Sequence, residues 1–138
     1  MEFNELPGSG QVWLHMRQPS STYLSIITGR AGASITSRRT PVLLTQLSVT
    51  GVRFMTYLRF PVDEGYKVNL HIVFREWEFG LLGRITMRQR EDNMLMYECA
   101  IDPDPAIRKA IAGAMLDLVR SADPDGPDMQ SLFWRISG

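Results

Sequence analysis

The sequence predicts a mainly β fold, an antiparallel sheet or barrel followed by a C-terminal α-helix. Three observations lead there. Several short segments alternate apolar and polar residues with the period of two that gives a strand one buried face. Turn-forming clusters separate those segments at regular intervals. After Asp102 the apolar period becomes that of a helix. With 138 residues, 44% of them hydrophobic, the chain is expected to form one domain with a real core.

Residues 1–10, ending in Pro7-Gly8-Ser9-Gly10, read as a flexible lead-in. Gln11 to Arg17 alternates, with Val12, Leu14 and Met16 on one face and Trp13, His15 and Arg17 on the other. Pro19 breaks that pattern, and Thr22 to Thr28 is a second strand. Gly29 to Ser34 reads as a flexible loop. Pro41 to Leu47 is a strand, Ser48 to Gly51 a turn, and Val52 to Tyr57 the next strand. Tyr66 to Phe74 alternates most cleanly, with Tyr66, Val68, Leu70, Ile72 and Phe74 against Lys67, Asn69 and His71. Phe79 to Arg90 sets Arg84, Thr86, Arg88 and Arg90 against Gly83, Ile85, Met87 and Gln89. Glu91-Asp92-Asn93 is a hairpin turn into a strand from Met94 to Ile101.

In Asp102-Pro103-Asp104-Pro105 an Asp can cap a helix whose first position is proline. Ile107, Ile111, Ala114 and Leu118 then recur on one helical face, widened by Ala110, Met115 and Val119. Docking such a face contributes a gross burial of roughly 1.5–3 kcal/mol per large apolar side chain. Strands and helix make a unit over 11–122; an acidic linker and C-terminal tail follow over 123–138.

Composition narrows the class. No apolar run is long enough to span a membrane. The acidic start lacks the basic and apolar regions of a signal peptide, so a cytoplasmic protein is expected. The single Cys99 lies in a strand and reads as a buried, inert thiol. Net charge is zero, which argues against a DNA or RNA binder. Residues 1–90 nevertheless hold eleven basic and six acidic side chains, and residues 91–138 hold four and nine. Thirteen of the fifteen basic residues are Arg, whose planar fork suits phosphate and guanine.

The segment Gln46-Leu47-Ser48-Val49-Thr50-Gly51 places small polar residues and a glycine inside a β-prone run. Glycine permits positive φ or close approach, and the Ser48 hydroxyl can bond the turn's backbone or a bound molecule. The block resembles the Asp/Asn-x-Ser-x-x-Gly motif of PilZ domains, bacterial signalling modules many of which bind the second messenger cyclic di-GMP. Ser48 and Gly51 match, and Gln46 stands at the first position. The order of strands and terminal helix, from about Tyr23 to Val119, is also similar to that family. The resemblance implies a PilZ-like antiparallel β-barrel with a C-terminal α-helix. In that family an Arg-x-x-x-Arg segment before the first barrel strand grips guanine and phosphate. Arg17 lies 29 positions before Gln46, about where that segment falls, but Ser21 stands where its second Arg belongs. The ligand-binding candidates are therefore Arg17, Gln46, Ser48, Gly51, Arg53 and the Arg38-Arg39 pair.

Catalytic chemistry is not expected. His15 and His71 have no metal-ligand spacing, and Glu76 and Glu78 read as a solvated strand edge around Trp77. No nucleophile elbow or phosphate-binding glycine loop occurs. Two mechanisms follow from the resemblance, neither needing a cofactor. One is an adaptor that has weak or lost cyclic di-GMP binding and works through a protein partner. The alternative is a functional cyclic di-GMP effector. The missing second Arg favours the adaptor, since one bidentate arginine contributes roughly 3 kcal/mol, about a hundredfold in affinity.

Overall fold

The computed structural model describes residues 3–5, 12–16, 21–30, 33–62 and 65–122. Its elements are β1 (Phe3–Glu5), β2 (Val12–His15), β3 (Ser21–Arg30), β4 (Ala33–Thr36), β5 (Thr40–Leu47), β6 (Gly51–Thr56), β7 (Lys67–Phe74), β8 (Trp77–Glu91), β9 (Met94–Ile101) and α1 (Pro105–Ala122). All strand pairings among them are antiparallel. Six strands close on themselves in the order β3-β5-β6-β9-β8-β7 and back to β3, a β-barrel. The β1–β2 pair adds to β5, with Leu14 opposite Leu47 and His15 opposite Gln46.

Two segments differ from the sequence reading. The lead-in is not wholly loose, because Phe3–Glu5 pairs with Val12–Leu14. Of the expected loop over Gly29 to Ser34, positions 31 and 32 lie outside the described residues, and the rest is paired strand, with Gly29 opposite Ser34 and Arg30 opposite Ala33. Antiparallel neighbours need only a short connection, so β3 can run on to Arg30 and pair directly with β4.

Alternation fills the interior. Leu44, Val52, Phe54, Val68, Leu70, Ile72, Leu81 and Ile85 are buried on the inner face. Tyr97 stacks on Phe54 at 5.4 Å between ring centroids. Its buried hydroxyl accepts from the Phe60 amide at 2.7 Å and donates to the Leu58 carbonyl at 2.8 Å. Both bonds hold the connection between β6 and β7 against the barrel.

Helix α1 starts as expected. Asp104 Oδ1 accepts from the Ile107 amide at 2.9 Å, and Pro105 takes the first helical position. Ile111, Ala114, Met115 and Leu118 are fully buried in the same core as the barrel strands. Trp77 anchors the helix: its indole Nε1 donates to Asp117 Oδ2 at 3.0 Å, and its ring stacks on Phe79. Among the described residues no helix is long and apolar enough to cross a membrane.

The registers define two barrel ends. One holds the β5–β6 turn, the end of β9 leading to α1, and the β7–β8 turn. The other holds the β6–β7 connection, the β8–β9 turn and the start of β5.

Candidate functional site

The motif-bearing segment crosses the first of these ends. In β5 the register shifts between Leu44 and Gln46, leaving Thr45 as a bulge. Leu44 faces the core opposite Phe54, and strict alternation would send Gln46 the same way. The bulge turns Gln46 outward instead, opposite Arg53 and beside His15. Thr45 is held in place by its hydroxyl, which donates to the Arg53 carbonyl at 3.1 Å, and by its own carbonyl, which accepts from the Met16 amide at 2.8 Å.

A polar network results on the outer face of β2, β5, β6 and β9. Arg53 Nε donates to Glu98 Oε1 at 2.8 Å, and Nη2 lies 2.8 Å from the same oxygen. Arg53 Nη1 donates to Gln46 Oε1 at 2.7 Å. The Gln46 amide nitrogen turns the other way and donates to His15 Nε2 at 3.0 Å. The guanidinium lies 4.2 Å from the centre of the Trp13 ring, a cation–π contact that also covers Trp13. Trp13 is only 2% exposed, although its strand face points away from the barrel interior. The side chains of Arg53 and Glu98 are 19% and 29% exposed, so the pair is shielded more than an ordinary surface bridge.

Ser48 and Gly51 form a closed turn. The Ser48 hydroxyl donates to the Gly51 carbonyl at 3.1 Å and accepts from the Thr50 amide at 3.3 Å. The Ser48 amide also donates to the Gly51 carbonyl at 2.9 Å. Both residues are buried. This serine therefore organises the backbone of its own turn.

The structure brings Gln46, Ser48, Gly51 and Arg53 together and leaves the Arg38-Arg39 pair apart. Those two exposed arginines precede Thr40, at the far end of β5. Six residues of strand separate Thr40 from Gln46, about 20 Å. Arg17 and the tail over 123–138 lie outside the described residues. Trp13, His15 and Glu98 belong to the site but were not among the candidates read from the sequence. Glu98 is 45 positions from Arg53 and sits between the buried Tyr97 and Cys99, so no local pattern marks it.

Other chemistry-bearing residues stand elsewhere. His71 Nε2 is 2.6 Å from Glu78 Oε1 on the outer face of β7 and β8. Cys99 is buried, and that burial pushes its thiol up to about 12, against a smaller lowering by a backbone bond from Arg84. A thiol so placed stays protonated at neutral pH and is a poor nucleophile. Among the described residues no three His, Cys, Asp or Glu side chains are grouped as a metal-ligand set. In comparison with known proteins, no family model matches the chain and no curated protein matches it.

Proposed function

We propose that the chain is a non-catalytic bacterial signalling module of the PilZ type, in which cyclic di-GMP binding is weak or lost and the output is contact with a protein partner. One observation carries the reading. Arg53, the arginine beside the Ser48–Gly51 turn, already has its donor edges on Glu98 and Gln46 and one face on Trp13. A dinucleotide that took over those donors would have to displace bonds that, with a charged partner, contribute about 1.5–3 kcal/mol each. Buried Ser48 offers its hydroxyl to Gly51.

The partner half of the reading rests on the outer face. Leu43 is 56% exposed and pairs with half-buried Met55, which pairs in turn with half-buried Met96. Apolar rows of this kind are the usual material of protein contacts.

Calorimetric titration with cyclic di-GMP tests the ligand half. We expect a Kd weaker than about 10 μM, or no heat, corresponding to no more than about 7 kcal/mol of binding. Submicromolar binding by the native chain would restore the effector reading. Incubation of the same mixture with and without divalent metal, followed by chromatography, should show no hydrolysis product. Turnover lost in a Glu76→Gln/Glu78→Gln variant would overturn the non-catalytic assignment.

A further inference from the structure

Beyond Thr86, strand β8 changes the side chains it turns toward the barrel. Up to that point Phe79, Leu81, Gly83 and Ile85 face inward. A register shift between Ile85 and Met87 then places Met87 opposite Glu98, Arg88 opposite Tyr97 and Arg90 opposite Leu95. Tyr97 is fully buried, so Arg88 and Arg90 stand on the inner side of the sheet. Strict alternation would have left both on the outer face with Arg84. They occupy the barrel mouth opposite the Ser48–Gly51 turn, about 17 Å away along β6.

A third arginine completes the mouth. Arg59 lies in the connection after β6, between Leu58 and Phe60, both tied to the Tyr97 hydroxyl. Arg88 Nη1 donates to the Phe60 carbonyl at 3.0 Å and fixes the same segment. The backbone carrying Arg59 is thus held before any ligand arrives. Arg59, Arg88 and Arg90 line an open depression of about 290 Å³ with Tyr57, Asn93, Met94 and Leu95. No lining residue is acidic. Glu91 ends β8 opposite Met94, and Asp92 follows in the turn, where its carbonyl accepts from Arg90 Nε at 3.4 Å. Tyr57 is 70% exposed.

We propose that this arginine-lined mouth binds a small phosphorylated ligand that carries an aromatic ring, a nucleoside diphosphate in chemical class. Three guanidinium forks offer more donors than one phosphate can accept, which suits two linked phosphates. The Tyr57 ring and the planar guanidinium groups provide stacking surfaces for a base. The volume lies at the lower edge of small-molecule sites, the size range of a mononucleotide. An anion also relieves the mutual repulsion of three like charges.

Calorimetric titrations of the full chain with ADP, inorganic pyrophosphate and adenosine test the assignment. ADP is expected to bind more tightly than pyrophosphate, adenosine to give no heat, and rising salt to weaken ADP several-fold. Arg59→Ala and Arg90→Ala should each weaken ADP by about tenfold. Arg84→Ala, on the outer face, and Arg53→Met, at the other end, should leave it unchanged. Arg88 also supports the Phe60 backbone, so Arg59 and Arg90 carry the test, and a thermal melt confirms that their variants fold. No binding of ADP or pyrophosphate at millimolar concentration would overturn the proposal. So would ADP binding that survives the double variant Arg59→Ala/Arg90→Ala.

Discussion

A Cβ at position 83 would lie 2.6 Å from the Ala100 carbonyl oxygen and from Cys99 Sγ, and 2.9 Å from Ile101 Cγ2. Backbone cannot retreat from such a contact, so glycine is what lets β8 and β9 meet there. Gly83→Ala is expected to lower stability by about 1–3 kcal/mol through overpacking, read from the midpoint of denaturant unfolding. The neighbouring thiol makes a pH prediction. Its folded-state value of about 12 lies above the ordinary 9.0. Below pH 9.0 the thiol keeps its proton in the folded and unfolded chain alike. Between pH 9.0 and about 12 the unfolded chain releases the proton and the folded chain does not, so stability falls as pH rises. Thermal melts across that window should fall more steeply for the native chain than for Cys99→Ala. Parallel slopes would contradict the burial of the thiol. Single residues were unevenly legible in the sequence. Ser48 and Gly51 announced a turn because their chemistry is local. The engagement of Arg53 was hidden, because Glu98 comes from a distant strand and Gln46 reaches the same face only through a bulge.

At the scale of elements, α1 was the most legible. Its cap, its first proline and its apolar stripe are all local signals, and the stripe is the face that joins the core. Ile111→Asp is expected to unfold or aggregate the domain, since it puts an unpaired carboxylate at a fully buried position. An unchanged melting midpoint would show that the helix does not dock through this face. Asp104→Ala should cost only about 1 kcal/mol, the usual loss of one N-cap, without changing the fold. Strand β9 was also read with its observed limits, because turn residues precede it and a proline-rich cap follows. The pairing of β3 with β4 was not legible: Gly29 and Ser34 are loop-formers by composition, and tertiary pairing placed them opposite each other in strands. The shifts in β5 and β8 escaped for a related reason. A bulge reverses the alternation on which strand faces are read, and nothing in Thr45 or Thr86 marks one.

Across the whole molecule, closure depends on three pairings that no single hairpin supplies, β3 with β5, β3 with β7 and β6 with β9. A barrel or sheet followed by a helix could be read from the order of elements, but not which strands close it. Closure gives the two ends different chemistry. One carries the motif turn, locked into the polar network around Arg53, and the other carries the arginine mouth. The central claim is that the arginine beside the motif belongs to the fold and is not held ready for a dinucleotide. A double-mutant cycle with Arg53→Met and Glu98→Ala, measured by denaturant unfolding without ligand, tests it most directly. Arg53→Met keeps an apolar stem against Trp13 while removing the fork, so the cycle isolates the ion pair. The expected coupling is about 1 kcal/mol or more, as for a shielded, hydrogen-bonded charge pair. A coupling near zero would contradict the claim, because the Arg53–Glu98 pair would then contribute nothing to the fold and that edge of the fork would be available to a ligand.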